Sequence, residues 1–226
     1  MIKKKIFIAC DTNKISKVKK IIKNTKTNKL KIGYKFGLEF WNSKNGRMYI
    51  SKLKNKTIFA DLKLLDIPNT CKSTIRSIKD LKNINYLTVH ISGGLKMLRA
   101  VKSVSGKIKI LGVTTLTSLD NNDLKKIGYS RNLKQIVIKL AKLAKLTKLD
   151  GIICSPNEAK YLKKICKGME IITPGIRLKG DSFQDQKRVT SPKDAFNNGA
   201  TSIVIGRSIT QGNISKNLKN LISHLS

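Results

Sequence analysis

Short apolar runs rich in β-branched residues recur along the chain at fairly regular intervals. They are IFIAC (6–10), KIGYKF (31–36), TIFADL (57–62), YLTVHI (86–91), KIKILGV (107–113), GIIC (151–154), EIIT (170–173) and SIVIG (202–206). Between most of them the apolar residues fall at helical spacing. In NLKQIVIKLAKLAKLTK (132–148), Leu133, Ile136, Val137, Leu140, Leu143 and Ala144 share one face. A strand followed by a helix, repeated eight times, predicts an α/β fold with a parallel sheet covered by helices. Eight such units in 226 residues point to a compact closed (β/α)₈ barrel. A doubly wound open sheet is the alternative, but it more often carries a Gly-rich phosphate loop after its first strand, and here that strand runs into CDTNK. No linker rich in Pro, Gly or Ser divides the chain, so residues 1–226 read as one domain. The longest irregular stretch, 174–192, follows the seventh strand, and loops of that length usually have a function or no order.

Polar residues collect where the strands end. Asp11 follows the first, Lys35 closes the second, Asp61 and Lys63 close the third, and His90 and Ser92 follow on the fourth. Thr117 and Ser118 come after the fifth, Gly206 and Arg207 after the eighth. In a barrel all of these share the C-terminal mouth, where such enzymes place their chemistry.

Charge sharpens that picture. The chain holds 47 Lys+Arg against 13 Asp+Glu, a formal net charge of +34. Such an excess raises nucleic acid, an anionic membrane or small anionic substrates as partners. Lysine is spread along the whole chain, however, beside abundant Asn and Ile. That distribution fits a genome whose codons favour A and T better than a surface built for polyanions. Carboxylates are then the informative minority. The four cysteines, Cys10, Cys71, Cys154 and Cys166, form no CxxC pair, so a zinc site is not expected and a reduced, cytoplasmic chain is. No apolar run approaches the ~20 residues of a membrane span, and the N-terminal run is too short for a signal peptide.

The segment DLKLLDIPNT (61–70) concentrates the scarce acid. Alternation along a strand points Asp61 and Lys63 the same way. Asp66 follows in a turn, and Pro68 suits the first turn of a helix. A lysine between carboxylates is held as an ammonium, which makes a poor Schiff-base nucleophile but a good stabiliser and proton donor for a carbanion. In IGRSI (205–209), Gly206 and Arg207 offer close backbone approach and a guanidinium fork, at the place where barrels often bind phosphate.

These residues resemble the orotidine 5'-phosphate decarboxylase family over nearly the full chain. The motifs that carry the resemblance are DLKLLDIPNT (61–70), TVHISGG (88–94), VTTLTS (113–118), ICSPNEA (153–159), TPGIR (173–177), DQKRVTSP (185–192) and IGRSIT (205–210), in matching order and spacing. The resemblance implies a (β/α)₈ barrel that decarboxylates orotidine 5'-phosphate to UMP, as a homodimer and with no metal or organic cofactor. Lys35, Asp61, Lys63 and Asp66 would form its charged tetrad. Lys63 would protonate C6 of the pyrimidine, Asp61 would lie beside the substrate carboxylate, and Lys35 and Asp66 would hold Lys63 and meet the ribose. Asp11 would also bind ribose. Thr117 and Ser118 would contact the base, Arg177 would lie in a mobile loop, Gln186 would bridge base and phosphate, and Gly206 with Arg207 would grip the phosphate. The segment Asp66–Thr70, Thr70 included, would reach into the partner's site. Ile91 departs from the smaller residue usual at its motif position, and His90 reads as a packed or hydrogen-bonding neighbour rather than an acid–base catalyst.

Two other readings stay open on the sequence. One is a related barrel enzyme that uses a similar D-x-K-x-x-D strand on sugar phosphates, often with Mg²⁺. The other is a basic nucleic-acid binder, which the charge alone suggests and which leaves the carboxylates without a role.

Overall fold

A computed structural model of the chain describes residues 3–178 and 190–225. Eight parallel strands among these residues close into a barrel in sequential order, β1 to β8, with β8 pairing back onto β1. The strands are β1 (Lys5–Ala9), β2 (Lys31–Gly37), β3 (Thr57–Leu64), β4 (Ile84–His90), β5 (Lys109–Val113), β6 (Gly151–Ile153), β7 (Glu170–Thr173) and β8 (Ser202–Ile205). Each lies within a few residues of its apolar run. The barrel expectation is met, and the open-sheet alternative is not.

The helices on the outside are α1 (Ile15–Asn24), α2 (Leu38–Trp41), α3 (Gly46–Ser51), α4 (Pro68–Lys79), α5 (Gly94–Val104) and α6 (Asn121–Lys126). They continue with α7 (Leu133–Leu146), α8 (Pro156–Ile165), α9 (Pro192–Asn197), α10 (Arg207–Thr210) and α11 (Ile214–Leu225). Their starts follow from side-chain chemistry. Pro68, Pro156 and Pro192 occupy first-turn positions, where the missing N–H costs nothing. Asp120 and Asp123 cap α6 reciprocally, and Asn132 Oδ1 accepts from Gln135 N at 3.0 Å to start α7. On α7 the buried face is Ile136, Val137, Ala141 and Ala144, slightly rotated from the leucine-rich stripe the spacing suggests, because the small alanines let the helix approach the barrel. Ile91 turns outward into the layer between barrel and helices. It is fully buried there, and a Cβ on Gly112 would lie only 2.6 Å from its Cγ1.

Inside the barrel, period-two alternation stacks the inward residues in layers. The lowest holds Lys5, Tyr86, Lys109 and Glu170. Above it, Phe7, Phe59, Leu111 and Ile172 form a dry middle layer. The Phe7 ring meets Phe59 and Tyr86 edge-on, both at 5.2 Å between centroids. Gly33 makes room for it, since a Cβ there would sit 2.7 Å from Phe7 Cδ1. Burying one such ring contributes about 1.5–3 kcal/mol. Ala9, Ile153 and Val204 lie above, as the apolar floor of a cavity.

Candidate active site

The cavity opens at the C-terminal ends of the strands and measures about 510 Å³, within the usual range for a small-ligand site. Three strands supply its charged wall. Lys35 Nζ, on β2, lies 3.0 Å from Asp11 Oδ1 and 3.2 Å from Asp61 Oδ2. Lys63 Nζ donates to the same Asp61 Oδ2 at 2.8 Å. Asp61 is thus clasped between two lysines, one from its own strand and one from the neighbour. Lys35 and Asp61 are buried, whereas Asp11 and Lys63 open toward the cavity.

The backbone that presents Lys63 is irregular. Pairing between β3 and β4 shifts register between Ala60 and Leu64: Ala60 pairs with Leu87, and Leu64 with Val89. Two extra residues are therefore accommodated on β3, and Lys63 takes a left-handed φ of 47°. Such a conformation is unfavourable for a residue with a Cβ. Simple strand alternation gives the right facing for Asp61 and Lys63, but a bulge delivers it. Around the bulge, Lys63 N donates to Thr88 Oγ1 at 2.9 Å, and Thr88 Oγ1 donates to Asp61 Oδ1 at 2.9 Å.

Burial alone would push the Asp61 carboxyl up. Lys35 and then Lys63 outweigh it, helped by hydrogen bonds from Lys63 and Thr88, and hold the group below its ordinary 3.8. For Lys35, burial pushes down, but Asp61 and Asp11 prevail and raise it above 10.5. Both groups are charged across the neutral range. His90 is half-buried, and burial followed by the Lys63 charge pushes its imidazole down, so it stays neutral at pH 7.

Arg177, Gly206 and Arg207 line the same cavity, together with Pro174, Gly175 and Thr117. An added Cβ on Gly206 would meet Ala9 and Asp11 only at ordinary contact distances, so the room it leaves faces the cavity.

The structure therefore brings together Asp11, Lys35, Asp61, Lys63, Thr117, Arg177, Gly206 and Arg207. It does not bring in Asp66. That residue lies beyond β3, exposed, with Oδ1 accepting from Ile67 N at 2.7 Å. Within one chain the expected tetrad is a triad plus Asp11, because the bulge ends at Leu64 and the chain then turns outward. Thr70 and Ser118 are also exposed and lie off the cavity wall. Gln186 falls outside the described residues. Three polar lining side chains were not among the expected site residues: Lys17 on α1, Thr210 on α10, and Gln211 just after it. Thr88 was not among them either, although it stands in a quoted motif. Its signal is a hydroxyl in the inward register of a strand beside the charged one. Among the described residues no group of three or more His, Cys, Asp or Glu is gathered as a metal ligand set. The four cysteines are free and buried, and among the described residues no helix is long and apolar enough to cross a membrane.

Comparison with known proteins bears on the chain as a whole. A profile described as Orotidine 5'-phosphate decarboxylase / HUMPS family matches residues 4–217. The chain is 45% identical over 223 residues to an orotidine 5'-phosphate decarboxylase of Wolbachia sp. subsp. Brugia malayi (strain TRS), covering 96% of each chain. To the enzyme of the same name from Wolbachia pipientis subsp. Culex pipiens (strain wPip) it is 50% identical over 182 residues, or 78% of this chain and 79% of that one. The fold superposes on the crystal structure of orotidine 5'-phosphate decarboxylase from Lactobacillus acidophilus with a TM-score of 0.83 at 30% identity, covering 99% of both chains.

Proposed function

From a chain that belongs to the Orotidine 5'-phosphate decarboxylase / HUMPS family and is a carboxy-lyase of pyrimidine biosynthesis, we propose a specific reaction and mechanism. The enzyme converts orotidine 5'-phosphate to UMP and CO₂ with its own side chains, calling on no metal or organic cofactor. The observation that carries this reading is Asp61 held ionised between Lys35 and Lys63 at the edge of the cavity.

The phosphate docks on Arg207, the Gly206 backbone and Arg177, where a guanidinium gives paired, charge-assisted hydrogen bonds. The ribose meets Asp11 and Lys35, and the base lies against Thr117. The substrate carboxylate is then directed at the Asp61 and Lys63 pair. As the C6–carboxyl bond breaks, its electron pair stays on C6 and CO₂ leaves, which removes the repulsion against Asp61. The Lys63 ammonium stabilises the developing charge and gives C6 a proton, and the neutral amine left behind recovers its proton from water.

The protein acts as a homodimer in this reading. Leu65 and Ile67, 57% and 67% exposed, flank Asp66 and offer apolar contacts to a second copy. Asp66 and Thr70 then complete the partner's site and the tetrad. A cytoplasmic location fits this role, and neither a nucleic acid nor a membrane is a specific partner.

Decarboxylation followed by ultraviolet absorbance, with UMP identified as product, tests the reading in the presence and absence of a chelator. Chelator-resistant conversion that collapses in folded Lys63→Ala supports it. No conversion by folded dimeric enzyme sinks it, and directs attention to sugar phosphates with Mg²⁺.

A further inference from the structure

Thr88 lies in the interior of β4, fully buried, and its hydroxyl stands between two parts of the site. A backbone N–H can only donate, so the bond from Lys63 N fixes the Thr88 oxygen as acceptor. The hydroxyl proton is then left for Asp61 Oδ1. The bond fits a carboxylate that accepts, and the other oxygen of Asp61 already receives Lys63 Nζ. One hydroxyl therefore closes a ring that runs from the Lys63 backbone through Thr88 and Asp61 to the Lys63 side chain.

The ring answers a need created by the bulge. Where β3 and β4 lose register, a β4 side chain supplies the acceptor that Lys63 N uses. A left-handed residue persists only when its surroundings over-determine it. We propose that Thr88 is a positioning residue for decarboxylation, setting both the backbone of the proton-donating Lys63 and the direction of the Asp61 carboxylate. The proposal rests on the reading of Lys63 and Asp61 given above. Its contribution falls on turnover rather than on binding of the nucleotide, because phosphate and ribose are held by other residues.

The test compares wild type, Thr88→Val and Thr88→Ser in kcat and KM for orotidine 5'-phosphate, in the dissociation constant of UMP, and in thermal unfolding. Valine keeps the shape and removes both hydrogen bonds. It should lower kcat about 10- to 100-fold, as expected for lost hydrogen bonds to a charged site, with UMP affinity unchanged. Serine should restore kcat to within a few-fold. If valine leaves kcat intact, or if activity falls only in step with the folded fraction and UMP binding, Thr88 has no positioning role. Should the valine variant not fold, Thr88→Ala, measured on its folded fraction, decides by the same split. A wild type that does not convert the substrate removes the decarboxylase reading and this proposal together, whereas an active wild type beside an unimpaired variant removes only the proposal.

Discussion

The two ends of the barrel interior carry nearly the same chemical kit. At the mouth, Asp61 accepts from Lys63 at 2.8 Å and from Thr88 at 2.9 Å, with Lys35 at 3.2 Å. At the opposite end, Glu170 accepts from Lys109 at 2.6 Å, Lys5 at 3.0 Å and the Tyr86 hydroxyl at 3.0 Å. Each is a carboxylate between two lysines and a hydroxyl. What differs is the surroundings. The Tyr86 ring seals the lower end, and both lysines there lie over it, at 5.1 and 5.5 Å. Burial, then Glu170, raises the Tyr86 hydroxyl to about 12, so it remains a donor. At the mouth the hydroxyl is aliphatic, the lysine sits on a bulge, and an open cavity with two arginines lies beyond. An ion cluster becomes a candidate for chemistry through the space it faces, more than through the pairs it contains.

Substitutions at the two ends can break this contrast. Lys63→Ala should lower kcat by about 10³-fold or more, the scale of losing a general acid and its electrostatic stabilisation, while its melting temperature stays close to wild type. Arg207→Ala should rank next, costing about 10- to 100-fold in kcat/KM, with part of the loss in kcat because remote binding energy organises the site. A purely KM effect in steady-state kinetics would deny that coupling.

Glu170→Gln should do the reverse of Lys63→Ala. It leaves kcat within about two-fold but costs about 1–3 kcal/mol, because it takes the charge from a partly buried hydrogen-bonded network. Calorimetry should show Tm lower by roughly 2–10 °C. If turnover fell as much as stability, the lower cluster could not be called structural.

That deficit should depend on pH. Burial would raise the Glu170 carboxyl, but its bonds to Lys109 and Lys5 outweigh burial and hold it below its ordinary 4.5. A depressed carboxyl stabilises the fold above its unfolded value, and the stabilisation is lost as pH falls through the folded value. The gap between wild type and Glu170→Gln should therefore be widest near neutrality and close on acidification below about pH 4. The smallest expected effect is at the rim. Lys17→Ala should raise KM about two- to five-fold at low salt with kcat unchanged, and the difference should shrink as ionic strength rises.

Much of this was legible in the chain. Period-two runs mark the strands because one face of each must fill the barrel, and the polar residue closing a run marks the mouth. Asp11, Lys35, Asp61, Lys63, Gly206 and Arg207 were found that way. Asp66 lies past the last paired residue, where strand geometry no longer governs direction, and its expected role in a partner's site came from the resemblance alone. Thr88 was missed for a different reason: its inward register could be read, but its bond to the Lys63 backbone sits where β3 slips against β4, and nothing in either strand's own pattern announces a slip. The lower cluster went unread because Lys5, Lys109 and Glu170 each open a strand, where a charged residue looks like an ordinary solvated end. Lys17 and Gln211 reach the cavity from flanking segments, and only the closed fold brings those together.

The packed middle layer also sets the traffic of the molecule. Phe7, Phe59, Leu111 and Ile172 are no more than 1% exposed, so the barrel is a vessel with one end shut. Those four side chains separate the charged cluster below from the cavity above. Whatever is released at the bottom of the cavity departs by the opening through which the nucleotide entered. A reaction that sheds CO₂ beneath a bound nucleotide must then clear both products through one doorway, and its overall pace is exposed to how fast that doorway empties.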